Sequence, residues 1–146
     1  MATKIPLVLN IAGDIEELQP GDEISDPSPD KVTYTTGEDI AAFDAVYLSA
    51  ADTVMKAKAN SAATMPAIGV ALSAVLSGNP IEVQIKGLIT GMTGLTAKAK
   101  YYVSEATAGL LTATAPTGSG EFVQHIGIAK STTALILNIK RPIKRA

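Results

Sequence analysis

A single histidine, His125, and the absence of cysteine set narrow limits on the chemistry this chain can perform. Two-imidazole metal sites, thiolate sites and disulfides are excluded, and a Ser-His-acid triad would have to be built on His125 alone. That residue stands at the edge of a strand pattern, just before an Ile-Gly pair, where a structural role is the expectation. The carboxylates include sequence-adjacent pairs, Glu16 with Glu17, Asp22 with Glu23 and Glu38 with Asp39. Glycoside hydrolysis needs two carboxyls opposed across a cleft, which neighbours on one segment do not provide. "DPSPD" (26–30) lacks the glycine and terminal glutamate of a calcium loop. "GLITGMTG" (87–94) lacks the Lys-Ser/Thr pair of a phosphate loop and reads as a β-turn connector. The expectation is a chain that is not an enzyme, with no catalytic, cofactor-binding or metal-ligating residue and no cofactor.

The remaining side chains suit binding. The tail "KRPIKRA" groups Lys140, Arg141, Lys144 and Arg145 without stacking aromatics, which argues for a solvated terminus or an acidic protein neighbour and against direct contact with nucleic acid. Six aromatic residues include no Trp, so a carbohydrate platform is poorly equipped. Tyr47, Tyr101 and Tyr102 are assigned instead to the core or to a subunit interface. Charge is unevenly spread: residues 1–44 hold ten acids against two lysines, a net of −8, and the rest hold four acids against ten Lys and Arg, a net of +6. The two regions can attract each other within a chain or between copies, or form a mixed solvated surface.

The positioning elements read as strands. Of the 146 residues 47% are hydrophobic but only 4% aromatic, which predicts a core of small and β-branched side chains. No apolar run approaches membrane-spanning length and no secretory leader is visible, so the expectation is a soluble, unprocessed chain without a membrane partner. Residues 1–30, with "IPLVLN", a Pro-Gly turn and the prolines of "SDPSPD", are expected to form an extended arm and linker. Ile5, Leu7, Leu9, Ile15, Leu18 and Asp22 are its candidate contacts to a neighbour. Residues 31–146 are expected to form one β-domain. "IEVQIK" (81–86) and "ALILNIK" (134–140) alternate with period two, whereas "AVYLS" (45–49) and "KYYVS" (100–104) are apolar on both faces. "ADTVMKAKANSAATM" (51–65) has helix-forming residues without a helical stripe, and a strand followed by a loop is predicted there.

The chain also repeats itself. "AIGVALSA" (67–74) has a counterpart in "HIGIAKST" (125–132), and the match extends outward, with Ile40 over Leu95, Tyr47 over Tyr102 and Ser49 over Ser104 at an offset of 55. The offset becomes 58 at the Ile-Gly pair and 54 where "IEVQIK" meets "LILNIK". Insertions fall between strands, as expected of two diverged copies spanning about 37–87 and 93–141. One copy alone cannot bury its apolar face; two packed together can. The repeated mid-strand Gly predicts a bulge, a barrel corner or a close backbone approach. The predicted fold is all-β, a compact β-sandwich or β-barrel built from two similar β-units and preceded by the arm.

Taken together, "VLNIAGDIEELQPGDEI", "DAVYLS", "AIGVALSAVLSGNPIEVQIKGLITG" and "GLTAKAKYYVSEATAGLLTATAPTGSGEFVQHIGIAKSTTALILNI" resemble the capsid decoration, or cement, proteins of tailed bacteriophages and related β-rich modules of head and tail fibres. The resemblance covers most of the chain, although Lys98 and Ala99 stand where a Gly usually precedes the "YYVS" strand. It implies a non-enzymatic virion protein made in the host bacterial cytoplasm. Such a protein assembles as a homodimer or homotrimer and binds major capsid protein on the outer capsid surface, bridging its subunits. The alternative it leaves open is a fibre module that binds a host receptor or glycan.

Overall fold

A computed structural model describes residues 30–146 together with the backbone of two short strands, β1 (Leu7–Leu9) and β2 (Ile15–Glu17), which pair antiparallel. The fold is all-β, as the sequence predicts, and among the described residues the only helical element is a 3-10 turn at Ala62–Thr64. The segment 51–65 forms a strand and then a loop carrying that turn.

The first unit consists of β3 (Lys31–Thr36), β4 (Ala45–Ala50), β5 (Thr53–Lys56), β6 (Ala67–Ala71) and β7 (Pro80–Gln84), closed into a barrel in the order β3-β5-β4-β6-β7. The second unit contains β8 (Gly87–Ile89), β9 (Lys100–Val103), β10 (Leu111–Thr112), β12 (His125–Ala129) and β13 (Leu135–Leu137) as an open sheet ordered β10-β9-β12-β13-β8. Between β10 and β12 in sequence lies β11 (Phe122–Val123), which pairs with the final strand β14 (Ile143–Lys144). Exchanging β3 for β8, β4 for β9, β5 for β10, β6 for β12 and β7 for β13 turns one strand order into the other. The repeat is therefore a five-stranded unit, and each copy starts one strand earlier than the sequence match indicated, at Lys31 and Gly87. "GLITG", read as a connector, begins with the opening strand of the second copy.

Closure separates the copies. The last two residues of β3, Thr35 and Thr36, pair in parallel with Thr53 and Val54 of β5. The shorter β8 stops at Ile89, and Gly91 at φ 85° follows it. A side chain at that positive φ would be strained, so Gly suits the turn.

The register explains the repeated Ile-Gly phrase. On β6, Ala67 faces Tyr47 and Gly69 faces Val46, leaving Ile68 as an extra residue. On β12, His125 faces Tyr102 and Gly127 faces Tyr101, leaving Ile126 extra. Both copies thus carry a β-bulge at the same place. The following glycine is also hemmed in: a Cβ at Gly69 would lie 2.5 Å from the Gln84 carbonyl oxygen, and one at Gly127 would strike the Ile136 carbonyl. Just before β4 and β9, Phe43 (φ 68°) and Lys98 (φ 72°) repeat a left-handed turn, and their N–H groups donate to Ala71 and Ala129 at 2.7 and 2.8 Å. On the last strand the offset differs from the sequence match. Val70 faces Gln84 and Ile128 faces Ile136, giving 136 − 84 = 52, a two-residue slip that keeps each side chain on its face.

Two cores result. Val46, Val54, Ala71, Ile81 and Val83 fill the barrel. The barrel's outer surface, built from Ala45, Ala57, Ala67 and Val70, packs into the inner face of the open sheet, which supplies Ile89, Tyr101, Val103, Ile126, Leu135 and Leu137. Small residues on one side let the larger ones of the other approach closely. Backbone hydrogen bonds cross the seam: Ala45 N–H to Gly109 O and Gly109 N–H to Ala57 O, both 2.7 Å, and Ala59 N–H to Ser104 O at 2.9 Å. Two buried glutamines stitch it further. Gln124 accepts from Ala67 N–H and donates to Ala67 O, both at 2.8 Å, while Gln84 donates to Leu88 O at 2.9 Å.

Gly69→Ala and Gly127→Ala are each expected to destabilise the fold by about 1–3 kcal/mol through forced backbone movement. Gly37→Ala should cost less, because its Cβ would meet only side-chain atoms of Met55 and Thr53. Urea unfolding of the three variants checks the ranking, and equal losses would contradict it.

Candidate functional site

The seam between barrel and sheet opens at one end into a cleft of about 330 Å³. Phe43 and Asp44 reach it from the turn before β4, Met92 and Leu95 from the turn after β8, Tyr101 from β9, and Leu110 from the approach to β10. The walls are mainly apolar and aromatic, and among the described residues Asp44 is the one carboxylate in the lining. Its Oδ2 accepts the Ala41 N–H at 2.9 Å. Gly109, at φ 82°, passes so close that a Cβ there would lie 2.7 Å from the Asp44 carboxyl carbon. The neighbouring Phe43 is held in the left-handed turn conformation that Lys98 repeats in the second unit, at an energetic cost to a non-glycine residue.

Burial raises the Asp44 pKa above the ordinary 3.8, opposed by the Ala41 hydrogen bond and the Lys56 charge. Desolvation of this kind leaves a carboxylate that gains from an incoming cation. The arrangement combines apolar walls that can take an aliphatic stem with a charge that can meet a cationic head such as an alkyl-ammonium or guanidinium group.

The residues singled out from sequence are dispersed. Tyr101 is only 6% exposed and belongs to the shared core, its hydroxyl accepting the Thr96 N–H at 2.9 Å. Tyr47 is half-buried against the same core. Tyr102 is half-buried on the opposite face of β9 from Tyr101 and meets His125 edge to face at a centroid distance of 5.9 Å. His125 Nδ1 lies 3.2 Å from the Asn138 carbonyl oxygen, and its Nε2 is buried without a hydrogen-bond partner among the described residues. Glu38 and Asp39 hold loops: Glu38 accepts from Lys56 N–H at 2.9 Å and Asp39 from Ser77 N–H at 2.8 Å. Of the arm contacts, Leu7, Leu9 and Ile15 fall on the backbone of β1 and β2, while Ile5, Leu18 and Asp22 lie outside the described residues. The basic tail is tied by its backbone, Arg145 N–H donating to Glu121 O at 2.8 Å, with exposed side chains at Lys144 and Arg145.

In the sequence Asp44 is one of ten acids in residues 1–44. The signal was nevertheless present: it heads an otherwise apolar strand and stands over Ala99 in the repeat.

The fold defines an all-β protein made of a barrel and its opened duplicate around a shared core. No family model matches the chain, and a search of curated proteins finds no match.

The raised pKa of Asp44 fixes the sign of a pH effect. The favourable contribution is complete below 3.8 and is lost as pH rises through the higher folded value. Asp44→Asn should therefore melt above the parent protein at pH 7, with the difference shrinking as pH falls from the folded value towards 3.8. Calorimetry across that range checks this, and a less stable variant at pH 7 would show that the Ala41 hydrogen bond outweighs burial.

Proposed function

We propose that this chain is a non-enzymatic virion protein that binds the outer surface of a phage capsid and stabilises it by bridging major capsid protein subunits. The sequence resemblance supplies the setting. The observation that carries the binding role is the Asp44 cleft, a half-buried, partly desolvated carboxylate in a cleft it shares with Phe43, Tyr101 and Leu95, with the half-exposed Leu110 in its lining. Binding energy at protein interfaces concentrates where a long or aromatic anchor enters a dry pocket. Here the pocket takes a Lys or Arg from the capsid surface, and copies associating as a dimer or trimer multiply a modest affinity through avidity. Bridging by many such contacts raises the cost of separating capsomers under the outward pressure of packaged DNA.

Purified protein should co-sediment with capsids stripped of it, and cryo-electron microscopy should show it on the outer shell. Asp44→Asn should weaken capsid binding about tenfold, equivalent to about 1.4 kcal/mol, without loss of fold. Failure to bind stripped capsids, combined with clean binding to a glycan array, would overturn the proposal in favour of a fibre module.

A further inference from the structure

The outer face of the second sheet carries an apolar row three strands wide. Ile128 of β12 faces Ile136 of β13, which faces Leu88 of β8, and the three side chains are 40, 45 and 44% exposed. Directly opposed side chains in a sheet stand about 5 Å apart, so the row is continuous. In the barrel two of the three matching positions, Val70 and Gln84, are 0 and 5% exposed because the second sheet covers them, while the third, Lys31, is exposed at the edge of that contact. The second copy of this face has no such cover among the described residues.

Its flank is basic. Lys100 faces Ile128 across β9 and β12, and the exposed Lys98 and Lys130 lie at the same end. Residues 87–140 contain only Glu105 and Glu121 as acids, and none of the three lysines has an acidic partner among the described residues.

The segment preceding the described domain has the complementary character. Residues 1–29 hold six acids and one lysine, a net of −5, and Ile5, Leu7, Leu9 and Ile11 alternate along it. The segment ends beside the apolar row. Asp30 accepts the Ile85 N–H at 2.8 Å, its carboxylate lies 3.8 Å from Lys86 Nζ, and a Cβ on Gly87 would stand 3.2 Å from it. Leu88 is the next residue. Crossing from β8 to β12 spans about 10 Å at ordinary strand spacing, a small fraction of the reach of a chain this long. Tethering at that corner gives the segment a high effective concentration at the face.

We propose that residues 1–29 of the chain dock on the outer face of its own second sheet. Their alternating apolar side chains cover Leu88, Ile136 and Ile128, and their acids lie against Lys98, Lys100 and Lys130. The segment performs for the second sheet what that sheet performs for the barrel.

Because the natural chain has no cysteine, Ala12→Cys provides a unique point for a nitroxide label in the full-length protein. The expected result is that the amide signals of Leu88, Ile128 and Ile136 lose most of their intensity and recover when the nitroxide is reduced. The effect should weaken in 1 M salt, where charges are screened beyond about 3 Å. It should also weaken in the charge-reversed Lys98→Glu, Lys100→Glu, Lys130→Glu chain, whose folding is read from its dispersed spectrum. The salt measurement on the parent chain decides the question if that variant does not fold. Absence of broadening at the three amides would overturn the proposal. So would equal broadening when nitroxide-labelled, isotopically silent chains are mixed with isotope-labelled chains that carry no nitroxide, which would mean that the segment docks on a neighbour.

Discussion

The structure depends on how one β-unit seals the other. A five-stranded unit has two faces, and closing the first into a barrel buries only its inside. The outside of that barrel presents Ala45, Ala57, Ala67 and Val70, side chains too small to form a core by themselves. Their size is what lets the second sheet come down on them, so Ile126, Leu135 and Leu137 are dry only because the barrel is there. The buried glutamines follow from the same contact. Gln84 and Gln124 lie at the seam, and each turns its amide to backbone groups of the other unit, satisfying polar atoms that burial would otherwise leave costly.

The duplication accounts for both the likeness and the difference of the two units. The bulge at Ile68 and Ile126, the confined glycine after each, and the left-handed residue before β4 and β9 all recur. Only the edges diverge. A short β8 and a turn at Gly91 keep the second copy from closing, and an unclosed copy can accept the barrel where a closed one could not. The Asp44 cleft is a product of this arrangement, since its walls come from both units.

Much of the architecture was legible because it is periodic. The alternation of "IEVQIK" identified Ile81 and Val83 as core, and two-sided apolarity in "AVYLS" matches burial on both faces at Ala45 and Val46, whereas Leu48 on the same strand is 48% exposed. What was illegible depends on tertiary contact. Gln84 occupies a polar position in an alternating strand and reads as solvent-facing, yet it is buried because the second unit lies over that side. β8 escaped notice because three residues within a glycine-rich run are too few to show a period. Tyr101 and Tyr102 look equivalent in sequence, but strand alternation sends the first into the core and leaves the second half-exposed. Asp44 was visible as a charge, while its desolvation depends on Gly109, a residue 65 positions away (109 − 44).

The central claim is that barrel and sheet form one cooperative unit through their shared core. Native-state hydrogen exchange in low denaturant tests it most directly, because it resolves the opening free energy of each segment. The account predicts that slowly exchanging amides inside the barrel, such as Val46 and Ala71, and in the sheet, such as Val103 and Ala129, converge on one global opening free energy. A sheet that opens at clearly lower free energy while the barrel stays protected would contradict it.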